Sequence, residues 1–508
     1  MTAIRSKNKT RFLSGLIGGL SAFVFVAVFV KLDPERPEST FTLATAVLMA
    51  IWWIAEVVPL AVTALLPVVL FPLFGILDGK SVSSAYFNDV IFLFLGGFLV
   101  ALAMQKWNLH KRIALRILLF TGVSPGRILF GFMLATAFLS MWISNTATAM
   151  MMIPIVISVI DQLEKQLGKK QSNRYSIGLL LGIAYSASIG GIATLVGTPP
   201  NLAFARIYAI TFPDAPEITF GQWMVFALPL SVLFLLFTWF YLYKIFCKNL
   251  KYSGRTYQNE LREQYAETGK MGSEEKTVMS GFVLFALLLL FRSDIHLGSF
   301  VIPGWADIFS NPKYINDGTV AILIGILFFL IPARRGSDFI LDWQTAQQIP
   351  WRIILLFGGG FALADGFTKS GLSAWIGESM GGFGALHPLI IILLISTIMI
   401  FLTEVTSNTA TAQMILPIVA ALSVSVNVHP LLFMLPVTIA GSMAFMLPVA
   451  TPPNAIIFGT DKVRILDMSK TGFVLNLVGI IFITLAIWFY GRFVFGIEGW
   501  ELPTWAIY

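Results

Sequence analysis

Ser144-Asn145-Thr146-Ala147-Thr148-Ala149 sits inside an apolar run that extends from Ile128 to Ile160, and it recurs letter for letter as Ser407-Asn408-Thr409-Ala410-Thr411-Ala412 inside a second such run. Hydroxyl and amide groups without partners are penalised in hydrocarbon, so two identical polar hexapeptides at membrane depth are costly. Polar residues in that setting face protein, water or a bound solute. The reading is that the two stretches meet near the midplane and hold a small anion together with coupling cations.

The repetition continues outward from the hexapeptides. Phe94, Gly96, Gly97 and Phe98 match Phe357, Gly359, Gly360 and Phe361, Lys106 matches Lys369, and Pro154 matches Pro417, all at the hexapeptides' own offset of 263. Gly197-Thr198-Pro199-Pro200-Asn201 and Ala450-Thr451-Pro452-Pro453-Asn454 follow at an offset of 253. Consecutive prolines remove backbone donors and push the preceding residue out of helical geometry, so each stretch marks a broken helix. An odd number of spans separates the halves, which gives them opposite orientation. Inverted repeats with paired broken helices are a mark of secondary transporters, and the breaks point to the binding site.

Bulk properties agree with this class. The chain has 508 residues, 57% of them hydrophobic and 12% charged, with mean hydropathy +0.81, which is a polytopic membrane protein. The net charge of +7 comes from short basic clusters between apolar runs, the pattern of cytoplasmic loops rather than of a nucleic-acid surface. The single cysteine, Cys247, excludes an intramolecular disulfide, and Cys/His zinc spacing is absent. The N-terminal basic cluster followed by an apolar run to Val30 reads as a first span, because no small-residue cleavage site follows.

Spans are expected at 12–30, 41–59, 60–77, 90–104, 223–246, 278–291, 318–331, 353–367 and 473–488, with broken helices at 175–210 and 431–458 and re-entrant hairpins at 127–160 and 388–426. The fold class is therefore an all-α polytopic membrane protein with eleven transmembrane helices plus two re-entrant hairpins. Its organisation reads as an N-terminal span and loop (1–40), a first repeat (41–247), a charged cytoplasmic linker (248–276) and a second repeat (277–508). Arg334 and Arg335 belong to the basic side. The N-terminus is expected in the cytoplasm and the C-terminus outside, in a bacterial inner membrane.

Asn145, Asn408, Ser144, Ser407, Thr146 and Thr409 offer carbonyl and hydroxyl oxygens without fixed charge, which suit an alkali cation such as sodium. Half-helix N-termini suit carboxylates. No lysine or arginine lies in the four motifs, so an anion there needs dipoles, hydroxyls and co-bound cations for neutralisation. Small polar residues that merely glue helices together are the bland alternative; the paired recurrence weighs against it. Glu404, three residues before Ser407, reads as a hydrogen-bonded carboxyl that holds the second hairpin, and Glu56 and Asp365 read as helix-end or pairing groups. Walker and HExxH motifs are absent, which disfavours an ATP-driven pump or a metalloprotease. A channel is disfavoured by a closed midplane site, and an enzyme by the lack of a nucleophile–base pairing; no cofactor is expected beyond sodium as a coupling ion.

With both Ser-Asn-Thr motifs, both Thr-Pro-Pro-Asn stretches, Trp52-Trp53-Ile54-Ala55-Glu56 and Trp107-Asn108-Leu109-His110-Lys111-Arg112-Ile113-Ala114, the chain resembles the divalent anion/sodium symporter family over its whole length. That resemblance implies a homodimer with a scaffold domain and a transport domain that moves as an elevator, each drawn from both repeats. It implies a first sodium site at Ser140, Ser144, Asn145 and the Gly197 backbone, and a second at Thr403, Thr406, Asn408 and the Ala450 backbone. Substrate carboxylates would meet Asn145, Thr146, Thr198, Ser407, Asn408, Thr409, Thr451 and Pro452. The implied activity is sodium-coupled uptake of C4 dicarboxylates such as succinate, malate or fumarate. Sodium-independent di- or tricarboxylate exchange, and sodium-coupled citrate or sulfate transport, stay open on the same fold.

Overall fold

A computed structural model describes residues 2–248, 255–297, 300–334 and 338–506; Arg335 and the linker segment 249–254 lie outside them. The chain is built of helices, and the only sheet among the described residues is a two-stranded hairpin, β1 (Ile295–Leu297) and β2 (Phe300–Ile302).

Helices α1 (Thr2–Phe29) and α2 (Pro37–Ala55) pack side by side, and Glu56 closes α2 in the left-handed conformation at φ 50°. The span expected at 60–77, with a break at Pro67, forms two short helices, α3 (Leu60–Thr63) and α4 (Leu66–Leu73). Pro67 starts α4 and Pro72 interrupts it, so prolines set both the start and the short length. Next come α5 (Gly79–Tyr86), α6 (Asp89–Lys106) and α7 (Leu109–Thr121). Asp78 and Asn88 accept backbone N–H groups as the N-caps of α5 and α6.

The first hexapeptide region forms a helix–turn–helix, α8 (Pro125–Ser140) and α9 (Asn145–Leu167), longer at both ends than the 127–160 expected from charge boundaries. The chain continues as α10 (Lys169–Ile192), breaks, and resumes as α11 (Pro199–Thr211) and α12 (Phe220–Leu242). The polar linker is not featureless: it holds α13 (Arg255–Glu267), and its last residues already belong to α14 (Ser273–Leu290).

The second half runs through α15 (Asp317–Leu330), α16 (Trp343–Ala346), α17 (Trp351–Lys369) and α18 (Leu372–Ser379), with α17 and α18 bent by 73° at Gly371, whose φ of +79° a residue with a side chain adopts poorly. Then follow the second helix–turn–helix, α19 (Pro388–Thr403) and α20 (Asn408–Ser425), and the second broken helix, α21 (Leu431–Ala440) and α22 (Pro452–Phe458). The last long helix is α23 (Ile465–Leu485).

Among the described residues, eight helices are long and apolar enough to cross a membrane, or nine if the bent α17–α18 pair is one span. Two of the eight, Asn145–Gln166 and Asn408–Ser425, are hairpin arms, and the spans expected at 60–77, 318–331 and 431–458 fall short because their apolar helices are of 10–17 residues, Leu60–Leu73, Asp317–Leu330 and Leu431–Ala440. The glycine pair seen twice in the sequence lies at close helix contacts. A methyl on Gly96 would stand 2.3 Å from the Ala321 carbonyl carbon of α15, and one on Gly359 would stand 2.4 Å from the Ala64 oxygen.

Two buried arginines tie distant segments together. Arg112 of α7 donates from Nε and Nη2 to the two oxygens of Glu275 at 2.5 and 2.9 Å, and reaches the Gly269 and Thr268 carbonyls at 2.9 Å each. Arg292 donates to Asp317 at 2.5 Å, to Glu217 at 2.6 Å and to the Ile315 carbonyl at 2.8 Å, while Asp317 also accepts the Phe220 N–H at 2.9 Å. These forks use the planar guanidinium in a way that a lysine cannot reproduce.

Removing one member of the Arg112–Glu275 pair leaves the other charge buried without its partner, which costs about 3 kcal/mol or more. Glu275→Ala is expected to lower the unfolding temperature of the detergent-solubilised protein clearly. Arg112→Met combined with Glu275→Leu is expected to cost less than Glu275→Ala alone.

Candidate functional site

Both hexapeptides begin helices. Ser144 and Ser407 are the N-caps of α9 and α20, and their hydroxyl oxygens accept from Ala147 N at 3.3 Å and Ala410 N at 3.5 Å. These are long for N–H···O bonds, so the serine oxygens keep lone-pair capacity for another ligand. Asn145 and Asn408 are then the first helical residues, placed where backbone N–H groups lack intrahelical acceptors and the helix dipole favours negative charge.

The Thr-Pro-Pro-Asn motifs do a related task. Thr198 and Thr451 are N-caps in extended conformation, and the two prolines take the first positions of α11 and α22, where a missing N–H costs nothing. The helix before each break ends in carbonyls without partners. Asn201 Nδ2 donates to the carbonyls of Gly191 (3.3 Å), Ile192 (3.1 Å) and Thr194 (2.8 Å). Asn454 Nδ2 donates to Ala444 (3.1 Å) and Leu447 (3.0 Å), which are Gly191 and Thr194 displaced by the same 253 positions. Both asparagines are fully buried, and each keeps a side-chain oxygen without a hydrogen-bond partner.

At the first break the turn between α8 and α9 closes onto the unwound chain. Ser140 Oγ lies 2.5 Å from Asn145 Oδ1 and 2.7 Å from the Ala187 carbonyl. A hydroxyl carries one proton for these two oxygens, and the Asn145 amide turned to place Nδ2 toward Ser140 satisfies the group equally well. Thr194 donates to the Met141 carbonyl at 2.5 Å and accepts the Gly197 N–H at 3.1 Å. A methyl on Gly191 would stand 2.7 Å from Asn145 Oδ1 and 3.1 Å from the Gly197 carbonyl oxygen. Ser140, Asn145 and Gly197 therefore share one oxygen-rich nest, while Ser144 is turned to its cap bond with Ala147 N. Gly191 and Thr194 complete it; the sequence reading missed both, and their one signal was proximity to the break.

The second half is built differently. Thr403 Oγ1 donates to Ile400 O of its own helix at 3.0 Å, with no bond to Asn408 like that of Ser140 to Asn145. Thr406 Oγ1 lies 2.7 Å from both the Leu402 carbonyl and Thr411 Oγ1. Asn408 Oδ1 is buried without a hydrogen-bond partner. Ala444 carries the methyl that Gly191 lacks, at the point where a methyl would crowd the asparagine. The hexapeptide residues Thr146 and Thr409 follow in the first turns of α9 and α20, and Pro452 opens α22 beside Thr451 and Ala450.

Glu404 is the structural carboxyl that the sequence suggested. It accepts from the backbone N–H groups of Phe445 (2.8 Å), Met446 (2.9 Å) and Leu447 (3.0 Å) and from Asn476 Nδ2 (2.7 Å). Its counterpart 263 positions earlier is Met141, whose carbonyl anchors Thr194. The turn thus holds the unwound chain in both halves, with a carbonyl acceptor in one and a carboxylate in the other.

The halves also meet directly. α9 packs against α22 and α11 against α20, so each second hairpin arm lies on the other repeat's broken helix. Thr198 Oγ1 reaches Ser442 Oγ, just past α21, at 3.3 Å. Among the described residues there is no cluster of three or more His, Cys, Asp or Glu fit for a metal ion.

Glu404→Ala frees three backbone donors in the segment leading to Ala450. This variant is expected to raise the sodium concentration for half-maximal transport by several-fold, and Glu404→Gln by less. Sodium titration of substrate uptake checks the order.

The sequence profile described as the sodium:sulfate symporter transmembrane region matches residues 18–497. The chain is 44% identical over 492 residues to the sodium-dependent dicarboxylate transporter SdcS of Staphylococcus saprophyticus, covering 96% of this chain and 92% of that protein. It is 44% identical over 507 residues to SdcS of Staphylococcus aureus strain NCTC 8325, covering 97% and 95%. Solved structures share the fold at low identity. Neisseria gonorrhoeae MtrF superposes with a TM-score of 0.58 at 14% identity, covering 93% of this chain and 97% of that chain. The Alcanivorax borkumensis YdaH transporter superposes with 0.55 at 12%, covering 89% and 99%. With its repeated motifs, its oxygen nest and a profile match over nearly all of its length, this chain belongs to the sodium:sulfate symporter family of membrane transporters.

Proposed function

We propose that the protein couples sodium influx to uptake of C4 dicarboxylates such as succinate, malate or fumarate. The observation that carries this reading is the nest of Ser140, Asn145 and Gly197, an uncharged oxygen cage set at the N-terminus of α9. Sodium in the cage supplies the positive charge that the site's own residues lack, and the helix N-termini of α9 and α20 supply N–H donors for carboxylates. Anion binding and cation binding then depend on each other, which is the physical basis of coupling. The names of the SdcS relatives favour a dicarboxylate over the sulfate of the family's description.

The second sodium site is assigned to Thr403, Thr406, Asn408 and the Ala450 carbonyl, and the substrate to Asn145, Thr146, Thr198, Ser407, Asn408, Thr409, Thr451 and Pro452. In the membrane we read eleven spans plus two re-entrant hairpins, α8–α9 and α19–α20, with the N-terminus in the cytoplasm, the C-terminus outside and a bacterial inner membrane as the location. α8–α12 and α19–α23 form a transport domain, and the remaining helices form a scaffold that holds a homodimer. The transport domain carries its cargo across by an elevator displacement.

Labelled succinate uptake into proteoliposomes tests this. Uptake is expected with an inward sodium gradient and absent with matched potassium, and unlabelled sulfate is expected to compete weakly. Asn145→Ala and Asn408→Ala each remove ligands that serve cation and anion at once, and are expected to cut uptake by about tenfold or more while the protein still inserts. Uptake that needs internal dicarboxylate and ignores sodium would make the protein an exchanger.

A further inference from the structure

We infer that Ser442 is a positioning residue for substrate, acting through the hydroxyl of Thr198; the inference rests on the assignment of Thr198 to the substrate site. The two motif threonines are equivalent in sequence and differ in their contacts. Thr451 Oγ1 accepts the N–H of Asn454 at 3.3 Å, which takes one of its two lone pairs and leaves its own proton free. Thr198 makes no such cap bond, because the Asn201 N–H goes to the Thr198 carbonyl at 3.2 Å. Its side chain turns instead to Ser442 Oγ at 3.3 Å.

Both residues are buried, Thr198 at 3% and Ser442 at 1% exposure, so water does not compete for this bond. Ser442 Oγ has no other side-chain hydrogen-bond partner among the described residues. With Ser442 as donor, one lone pair of Thr198 is taken and the threonine proton is free to point at a carboxylate. Ser442 thereby does for Thr198 what a backbone N–H does for Thr451. The contact is not repeated by symmetry: the residue 253 positions before Ser442 is Ile189, which has no hydroxyl. The first repeat's threonine is therefore aimed by the second repeat's broken helix, and the two carboxylate ends of a substrate meet hydroxyls that are set by different means.

The test is a double-mutant cycle on sodium-driven succinate uptake, with Ser442→Ala, Thr198→Ala and the pair, together with Ser442→Thr. Ser442→Ala is expected to raise KM by about three- to tenfold with kcat little changed. It is expected to add nothing in the Thr198→Ala background, and Ser442→Thr is expected to restore KM in large part. Unfolding temperatures of the purified variants identify any that lose the fold, and sodium-dependent succinate binding in detergent supplies the same cycle independently of transport rate. An unchanged KM in Ser442→Ala, or an effect of equal size with and without Thr198, overturns the inference and leaves the site reading in place. An unchanged KM in Thr198→Ala overturns the assignment of Thr198 itself, and Ser442 falls with it.

Discussion

Everything at this site depends on the need to satisfy backbone polar groups where water is scarce. A helix broken at depth leaves carbonyls at one end and N–H groups at the other, and each unpaired group is expensive. Asn201 and Asn454 meet the first demand by donating to the carbonyls before the break. Prolines reduce the second demand by removing donors from the first turn of the next helix. What remains is a small set of buried and half-buried hydroxyl, amide and carbonyl oxygens beside the breaks. The same chemistry that makes the break tolerable thus produces the ligand set.

The repeats share this scheme and carry it out with different groups. In the first half, glycine at position 191 lets the Asn145 amide come close, and the hairpin is tied down through the Met141 carbonyl. In the second half Ala444 stands where glycine stood, and a buried carboxylate, Glu404, gathers the backbone of residues 445–447. Asn408 is left with a buried oxygen that lacks a hydrogen-bond partner. The two cation sites proposed above therefore differ in the groups that surround them.

Much of this was readable from the residues. The hexapeptides, the prolines and the offsets of 263 and 253 located both turns and both breaks, because polar residues and prolines in apolar runs are strong signals. Span boundaries were less readable: at 60–77 Pro67 marks a break in the sequence, but the helical part ends at Leu73, one residue after Pro72. The helix in the linker was hidden because a charged amphipathic segment such as Arg255–Glu267 resembles a loop in composition. Gly191, Thr194 and Ser442 were missed for a different reason. They matter through contacts between segments distant in sequence, and no local pattern encodes which way a hydroxyl turns.

The most direct test of the central claim, that anion and cation share one site, is calorimetric titration of succinate into the purified protein at a series of sodium concentrations with potassium held as the balancing salt. The account predicts no measurable binding in potassium alone, and an affinity that rises with sodium more steeply than first order, because two cation sites complete the anion site. Succinate binding of equal affinity in potassium and in sodium would contradict it.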